Sequence, residues 1–277
     1  GVESEDGATY RRTVCIDGRP GVFAVSDDPE RGCLELVVAG VATADLFFVV
    51  QKVRELFDLD APVTQIRQSL AGDPSLKSRL GRRALPRVPG AWDGFELAVR
   101  AVLGQQVSVK AATTLSGRIV ARYGTPLDPA LGDAAGHGLT HLFPAPDALA
   151  RRRFDNLGIT GARIATIRRL ALAVAGGEVA FDSGQDADAV CRALTDLPGI
   201  GNWTAQYIAM RALKNPDAFP ASDLGLLRAF DEEGGRLKPA ELLQRAEAWR
   251  PWRAYAAMLL WSSLVPGTGN QAANSGG

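Results

Sequence analysis

The sequence predicts an α+β protein, with a small antiparallel β-sheet domain carrying helices first and a mostly α-helical domain second. Three observations predict it. Residues 8–50 hold β-branched runs separated by Asp, Gly and Pro turns. Beyond residue 88 the apolar spacing is almost all three and four. Between about residues 186 and 213 two helical stretches flank a turn with two glycines, the pattern of a helix–hairpin–helix.

The elements follow in order. Thr13, Val14, Ile16, Val22, Phe23 and Val25 surround a turn expected over Asp17-Gly18-Arg19-Pro20-Gly21, and Leu34 to Val38 form a further strand. Asp45 to Phe57 reads as a helix, with Phe47, Val50, Val53, Leu56 and Phe57 at helical spacing. Residues 62–87 are shorter helical pieces that end in a basic, proline-bearing link. This sets the expected division: 1–88 sheet domain, 89–265 helical domain, 266–277 a disordered tail rich in Gly, Asn and Ala. Asp93 and Glu96 form a capping-box pattern before Phe95–Leu103, and Ser108 caps a helix that runs to Gly124. Residues 125–146 read as a Gly/Pro loop. Helices are expected at 147–153, 161–175, 186–195, 202–213, 223–233, 239–247 and 251–264.

Composition narrows the function. The 277 residues are 46% hydrophobic and 22% charged, ordinary for a globular chain. Charges balance at 31 basic and 31 acidic, which argues against a non-specific polycationic DNA coat but leaves local phosphate contacts open. Cys15, Cys33 and Cys191 are too few for a disulfide framework or a four-cysteine iron–sulfur cluster. No apolar run is long enough to span a membrane, and the acidic start is unlike a secretory signal. The expectation is a cytoplasmic, nucleoid-associated monomer.

Leu197-Pro198-Gly199-Ile200-Gly201 carries the sharpest local signal. Pro198 ends the preceding helix, and the two glycines allow positive φ and close approach of a foreign backbone. The next helix then opens with free N–H groups, which suits a phosphate. An echo of this turn occurs at Leu157-Gly158-Ile159-Thr160-Gly161. Twenty-odd residues on, Asp223 follows Phe219-Pro220 in the first turn of another helix, where the dipole favours an anion. By itself this is an ordinary helix-start aspartate. Placed beside a sugar, it could stabilise an oxocarbenium-like transition state. His137 and His141 have i, i+4 spacing, but Gly136 and Gly138 oppose a helix and no third ligand is near. Arg151 to Arg153, Arg168 and Arg169 read as solvated helix faces.

Together, Leu197–Gly201, Trp203-Thr204-Ala205 and Asp223 resemble the helix–hairpin–helix-Gly/Pro-Asp DNA glycosylase superfamily. Phe95–Ser108, Pro198–Ala205 with Tyr207, and Trp249–Tyr255 with Trp261 resemble its AlkA-type 3-methyladenine DNA glycosylase II branch, over roughly residues 8–264. The resemblance implies a monofunctional DNA glycosylase that flips and excises alkylated bases from double-stranded DNA. Asp223 is then the catalytic carboxylate, and Trp203, Tyr207 and Trp261 are the base pocket, stacking on cationic bases. Gln105, Gln106, Gly199, Gly201 and Thr204 are DNA-binding. No cofactor is required, and the carbonyls of Thr195, Leu197 and Ile200 hold Na⁺ or K⁺ against a DNA phosphate. Bifunctional relatives carry a lysine where Trp203 stands, so no lyase activity is expected. The branch has an apolar wedge where Gln106 stands. Its opening strand has no counterpart here, as would fit a piece of a longer fused polypeptide. Trp92, Trp249 and Trp252 are assigned to the core. The rival readings are a non-catalytic helix–hairpin–helix damage sensor and a glycosylase for oxidised or mispaired bases.

Overall fold

Alternating buried residues build the sheet. Strands β1 (Glu3–Glu5), β2 (Thr9–Ile16), β3 (Arg19–Asp28) and β4 (Cys33–Ala39) pair antiparallel in chain order in the computed structural model, which describes residues 1–81, 84–134, 138–182, 184–230 and 237–264. Asp17 and Gly18 alone connect β2 to β3, at φ 49° and 75°, the backbone of a type I′ hairpin turn. The expected turn ran to Gly21. Instead Arg19, Pro20 and Gly21 lie in β3 opposite Ile16, Cys15 and Val14. β1 precedes the stretch expected to hold strands, because Glu3-Ser4-Glu5 has no apolar alternation to reveal it.

Helix α1 (Leu46–Leu56) covers this sheet with Val49, Val53 and Leu56, which pack with Val14, Phe23, Val25 and Trp92. The expected stripe through Phe47 and Val50 points outward instead, with Phe47 75% exposed. Leu46-Phe47-Phe48-Val49-Val50 is apolar on every face, so spacing alone could not choose the buried side. Helices α2 (Val63–Leu70) and α3 (Pro74–Leu80) come next, and their buried Ile66, Leu70, Leu76 and Leu80 join the larger helical core, not the sheet core. The expected division at residue 88 thus falls after two helices that pack with the C-terminal helices. Asp73 fastens α3 to the C-terminal part by accepting the Trp249 indole N–H at 2.9 Å.

The helical core is built around α4 (Gly94–Gly104), which packs on α5 (Val109–Tyr123), α8 (Gly161–Ala175) and α10 (Asn202–Arg211). Asp93 and Ser108 cap α4 and α5 through Glu96 N and Ala111 N. The rest of the expected capping box does not form. The Glu96 side chain, 2% exposed, turns instead to Arg12 of β2 and to Arg100. Residues 125–146, expected as loop, contain β5 (Thr125–Pro126), α6 (Pro129–Ala134) and β6 (His141–Leu142), with β5 paired to β6. α7 (Pro146–Ala150), α8 (Gly161–Ala175), α9 (Ala187–Thr195), α10 (Asn202–Arg211), α11 (Leu224–Arg228), α12 (Pro239–Ala246) and α13 (Arg253–Leu264) complete the chain, close to their expected places. Trp249, Trp92 and Trp252 pack into or against the cores as expected. His137 and residues 266–277 lie outside the described residues.

A charged cluster joins the two parts. Arg12 is buried between Glu96 and Glu3, and Arg100 bonds Glu3 at 2.5 Å and pairs with Glu96 at 2.7 Å. Burial would lower the Arg12 guanidinium, but Glu96, Tyr10 and Glu3 raise it above its ordinary value. Burial also pushes the Tyr10 hydroxyl up to about 12. Removing one member of a buried ion pair strands the other and costs about 3 kcal/mol. Glu96→Ala should therefore lose about 3 kcal/mol in urea unfolding, the low end because Arg12 keeps Glu3. A loss under about 1 kcal/mol would show that the cluster does not hold the parts together.

Candidate active site

Three N–H donors converge on one carboxylate. Asp223 is the N-cap of α11, and its Oδ1 accepts from Leu226 N at 3.0 Å. The same oxygen accepts the Trp261 indole N–H from α13 at 2.8 Å, and Oδ2 accepts the Trp203 indole N–H from α10 at 2.8 Å. Phe219-Pro220 ends the preceding segment, so the chain enters α11 extended, as capping requires. The carboxylate is half-buried, with both oxygens oriented by groups from three helices.

The indoles are in turn positioned. Trp203 stacks on Tyr207, one turn further along α10, with ring centroids 5.4 Å apart and planes 5° apart. Tyr207 Oη accepts from an Arg211 guanidinium N–H at 2.6 Å, and the guanidinium carbon lies 5.5 Å from the Tyr207 ring centre. Arg211 also donates to the carbonyls of Pro89 and Gly90 at 2.9 and 3.3 Å, tying α10 to the segment that links the two parts. Gly90 has to be glycine here, since a Cβ would sit 2.5 Å from the Glu55 carbonyl oxygen.

These residues bound a cavity of about 420 Å³, lined by Asp223, Trp203, Tyr207 and Trp261 together with Leu97, Ala101 and Ala112. Its volume falls in the range of about 300–1,000 Å³ usual for small-molecule sites. Arg100 and Arg211 also line it, and both extend into a neighbouring 730 Å³ cleft beneath the sheet. Arg100 is matched by Glu3 and Glu96.

The hairpin stands beside the cavity. Gly199 adopts φ 99°, and a Cβ there would collide with Thr166 of α8, whose Oγ1 donates to the Pro198 carbonyl at 3.2 Å. Gly201 is exposed, and a Cβ there would meet nothing in the protein, so that space is open to an incoming backbone. Gln105 turns inward, donating to Gly199 O at 3.0 Å and Thr204 Oγ1 at 3.1 Å, while Arg163 donates to its carbonyl. The hairpin and the helix that follows the echoed turn therefore both bond to Gln105. Thr204 is buried, whereas Gln106 is exposed at φ 57° beside the cavity mouth. Thr195 ends α9, where a helix leaves carbonyls without intrahelical donors. The Leu197 carbonyl accepts from Ile200 N at 3.0 Å.

The family model of the AlkA N-terminal domain matches residues 1–93. A DNA-3-methyladenine glycosylase 2 from Escherichia coli is 31% identical over 94% of this chain and 87% of its own length. The chain belongs to the DNA-3-methyladenine glycosylase 2 family. A Mycobacterium tuberculosis protein named "Probable bifunctional transcriptional activator/DNA repair enzyme AlkA" is 40% identical over 95% of this chain. The chain spans about half, 51%, of that relative's length. The 3-methyladenine DNA-glycosylase structure from Archaeoglobus fulgidus shares the fold, with a TM-score of 0.77, 23% identity, and 94% and 88% of the two chains covered. The family match ends at the N-cap of α4, near the expected division at 88, although the packing divides earlier.

Several residues of this glycosylase-family site escaped the sequence reading. Arg211 and Arg163 look like solvated helix charges in a one-dimensional reading, and only the fold brings them to Tyr207 and Gln105. No helix among the described residues is long and apolar enough to cross a membrane. Among the described residues no His, Cys, Asp and Glu cluster could hold a metal ion, and His141 Nδ1 lies 2.9 Å from Thr140 Oγ1. Gly225 was also missed. A Cβ there would sit 2.9 Å from Asp223 Oδ1 and 3.3 Å from the Trp261 ring, so only glycine leaves their hydrogen bond undisturbed. Gly225→Ala should therefore displace the Trp261 indole from Asp223, seen as a shift in tryptophan fluorescence. Its unfolding midpoint should change little. An unshifted spectrum would show that the Asp223–Trp261 contact does not require glycine at 225.

Proposed function

We propose that this chain is a monofunctional DNA glycosylase that extrudes alkylated bases of the 3-methyladenine and 7-methylguanine type from duplex DNA and hydrolyses their N-glycosidic bond. The observation that carries the reading is the Asp223 carboxylate, fixed by two indole N–H groups on the wall of an aromatic-lined cavity. The names of the relatives from E. coli and M. tuberculosis support the same class. A damage sensor needs no carboxylate so oriented beside a sugar.

The chemistry follows from the residues present. The flipped base enters the cavity against Trp203, Tyr207 and Trp261, where a cationic purine gains about 0.5–2 kcal/mol per well-placed ring. The C1′–N bond breaks and the base departs with the bonding electrons. Positive charge develops on the sugar, and Asp223 stabilises it. Water then adds to C1′ and gives up a proton, leaving an abasic site. No amine stands at Trp203, so no Schiff base forms and the strand is not cut.

DNA is held by the hairpin and the α4–α5 loop. The N–H groups of Gly201, Asn202 and Trp203, at the start of α10, receive a phosphate, and the open face of Gly201 admits its backbone. Gln106 enters the gap left by the extruded base, and Gln105 positions that loop from behind. The carbonyls of Thr195, Leu197 and Ile200 would hold a monovalent cation, whose charge would offset that of a phosphate. The hard oxygen donors fit Na⁺ or K⁺, and Leu197 O keeps a lone pair beside its bond to Ile200.

An anion about 4 Å from the developing cation is worth about 4 kcal/mol at an effective dielectric near 20, or about 10³-fold in rate. Asp223→Asn should lose about that factor in single-turnover release of 7-methylguanine, while binding abasic-site DNA as the wild type does. Retained release by the variant would remove the assignment.

A further inference from the structure

The cavity wall holds a charge that the stacking chemistry does not use. Arg211 pairs with no carboxylate among the described residues. Its three hydrogen bonds all go to neutral acceptors, the carbonyls of Pro89 and Gly90 and the hydroxyl of Tyr207. Two of these are backbone atoms of the linking segment, and Gly90 is held in turn by its N–H to Leu56 O at 2.9 Å. The guanidinium is thus fixed from behind and presents one N–H to Tyr207 Oη. A phenol has one proton to donate and lone pairs to accept with. With a lone pair taken by Arg211, the Tyr207 proton turns away from the guanidinium. Oη makes no other hydrogen bond among the described residues, and Tyr207 lines the 420 Å³ cavity but not the neighbouring cleft.

We propose that Arg211 is a positioning residue that fixes the Tyr207 hydroxyl as a hydrogen-bond donor to an acceptor atom, a ring nitrogen or carbonyl oxygen, on the edge of the extruded base. This rests on the glycosylase reading and adds an edge contact to a pocket expected to recognise bases by stacking alone. The arrangement has two physical consequences. A cation donating to the phenol oxygen strengthens the phenol as a donor, because successive hydrogen bonds polarise one another. The same cation beside the Tyr207 ring competes with a cationic base for its electron-rich face. Cation stacking then falls to Trp203 and Trp261, while Tyr207 reads an acceptor edge that neutral bases also carry.

The test is a double-mutant cycle on single-turnover release of hypoxanthine and 7-methylguanine, with Tyr207→Phe, Arg211→Met and the double variant. Affinity for DNA bearing a tetrahydrofuran abasic-site analogue, which has no base to contact, is measured in parallel. One hydrogen bond of this kind corresponds to about five- to tenfold in rate. Tyr207→Phe should lose that much for hypoxanthine at unchanged affinity for the abasic analogue. Arg211→Met should lose a similar factor, and the double variant no more than the larger single loss, because both changes remove one contact. Hypoxanthine release by Tyr207→Phe at the wild-type rate would overturn the proposal, as would losses that multiply in the double variant. Tyr207→Phe removes no backbone support, so it decides the matter if Arg211→Met fails to fold. Wild-type protein that releases neither base would refute the glycosylase reading itself, and the inference with it.

Discussion

The site depends on one constraint: both oxygens of Asp223 are occupied by indole N–H groups that come from different helices. A half-buried carboxylate must find donors. Here it finds them by drawing α10 and α13 together at the start of α11. Because the donors are rings, satisfying the carboxylate also sets the planes of Trp203 and Trp261. Trp203 sets Tyr207 by stacking, and Arg211 fixes the far end of Tyr207 against the linking segment. The aromatic wall is therefore a chain of oriented groups that begins at the Asp223 carboxylate. Gly225 is the space in which this arrangement fits.

The surroundings make that wall rigid. α4 runs through the centre of the helical core and ends at the loop that Gln105 ties to the hairpin. Its other end carries Glu96 and Arg100 into the cluster with Arg12 and Glu3 of the sheet. One helix thus connects the sheet, the cavity and the loop that carries Gln105 and Gln106. Tyr255 of α13 donates to Asp58 at 3.0 Å, and Asp58 also accepts from Val88 N, so the helix that carries Trp261 is anchored to the same linking segment as Arg211. Burial raises both the Asp58 carboxyl and the Tyr255 hydroxyl above their ordinary values.

Much of this arrangement is legible in the sequence. The helical spacing located nearly every long helix, and the hairpin motif with Asp223 pointed to the site. Asp93 and Ser108 cap where their sequence context places them. What failed did so for definable reasons. Glu96 fits a capping box, but a buried Arg12 some eighty residues away outcompetes the helix terminus for its carboxylate. The all-apolar start of α1 has no preferred face until a sheet covers one. Helices α2 and α3 join the larger core through residues remote in sequence, which no local pattern records. Gln105 and Thr204 bond to each other, which their residue types alone do not reveal. Arg211 and Gly225 matter through what they touch in space, and nothing beside them in the chain signals it.

The central claim is that Asp223 works as a fixed anion facing positive charge on the sugar. It is tested most directly by comparing affinities for two DNA duplexes. One carries a neutral tetrahydrofuran in place of the nucleoside and the other a pyrrolidine whose protonated nitrogen stands where C1′ charge develops. Transition-state mimics bind tighter than ground-state analogues by about 10²-fold or more when the complementary charge is preorganised. The wild-type protein should prefer the pyrrolidine duplex by about that factor, and Asp223→Asn should bind both duplexes alike. Equal affinity of the wild-type protein for the two would contradict the account.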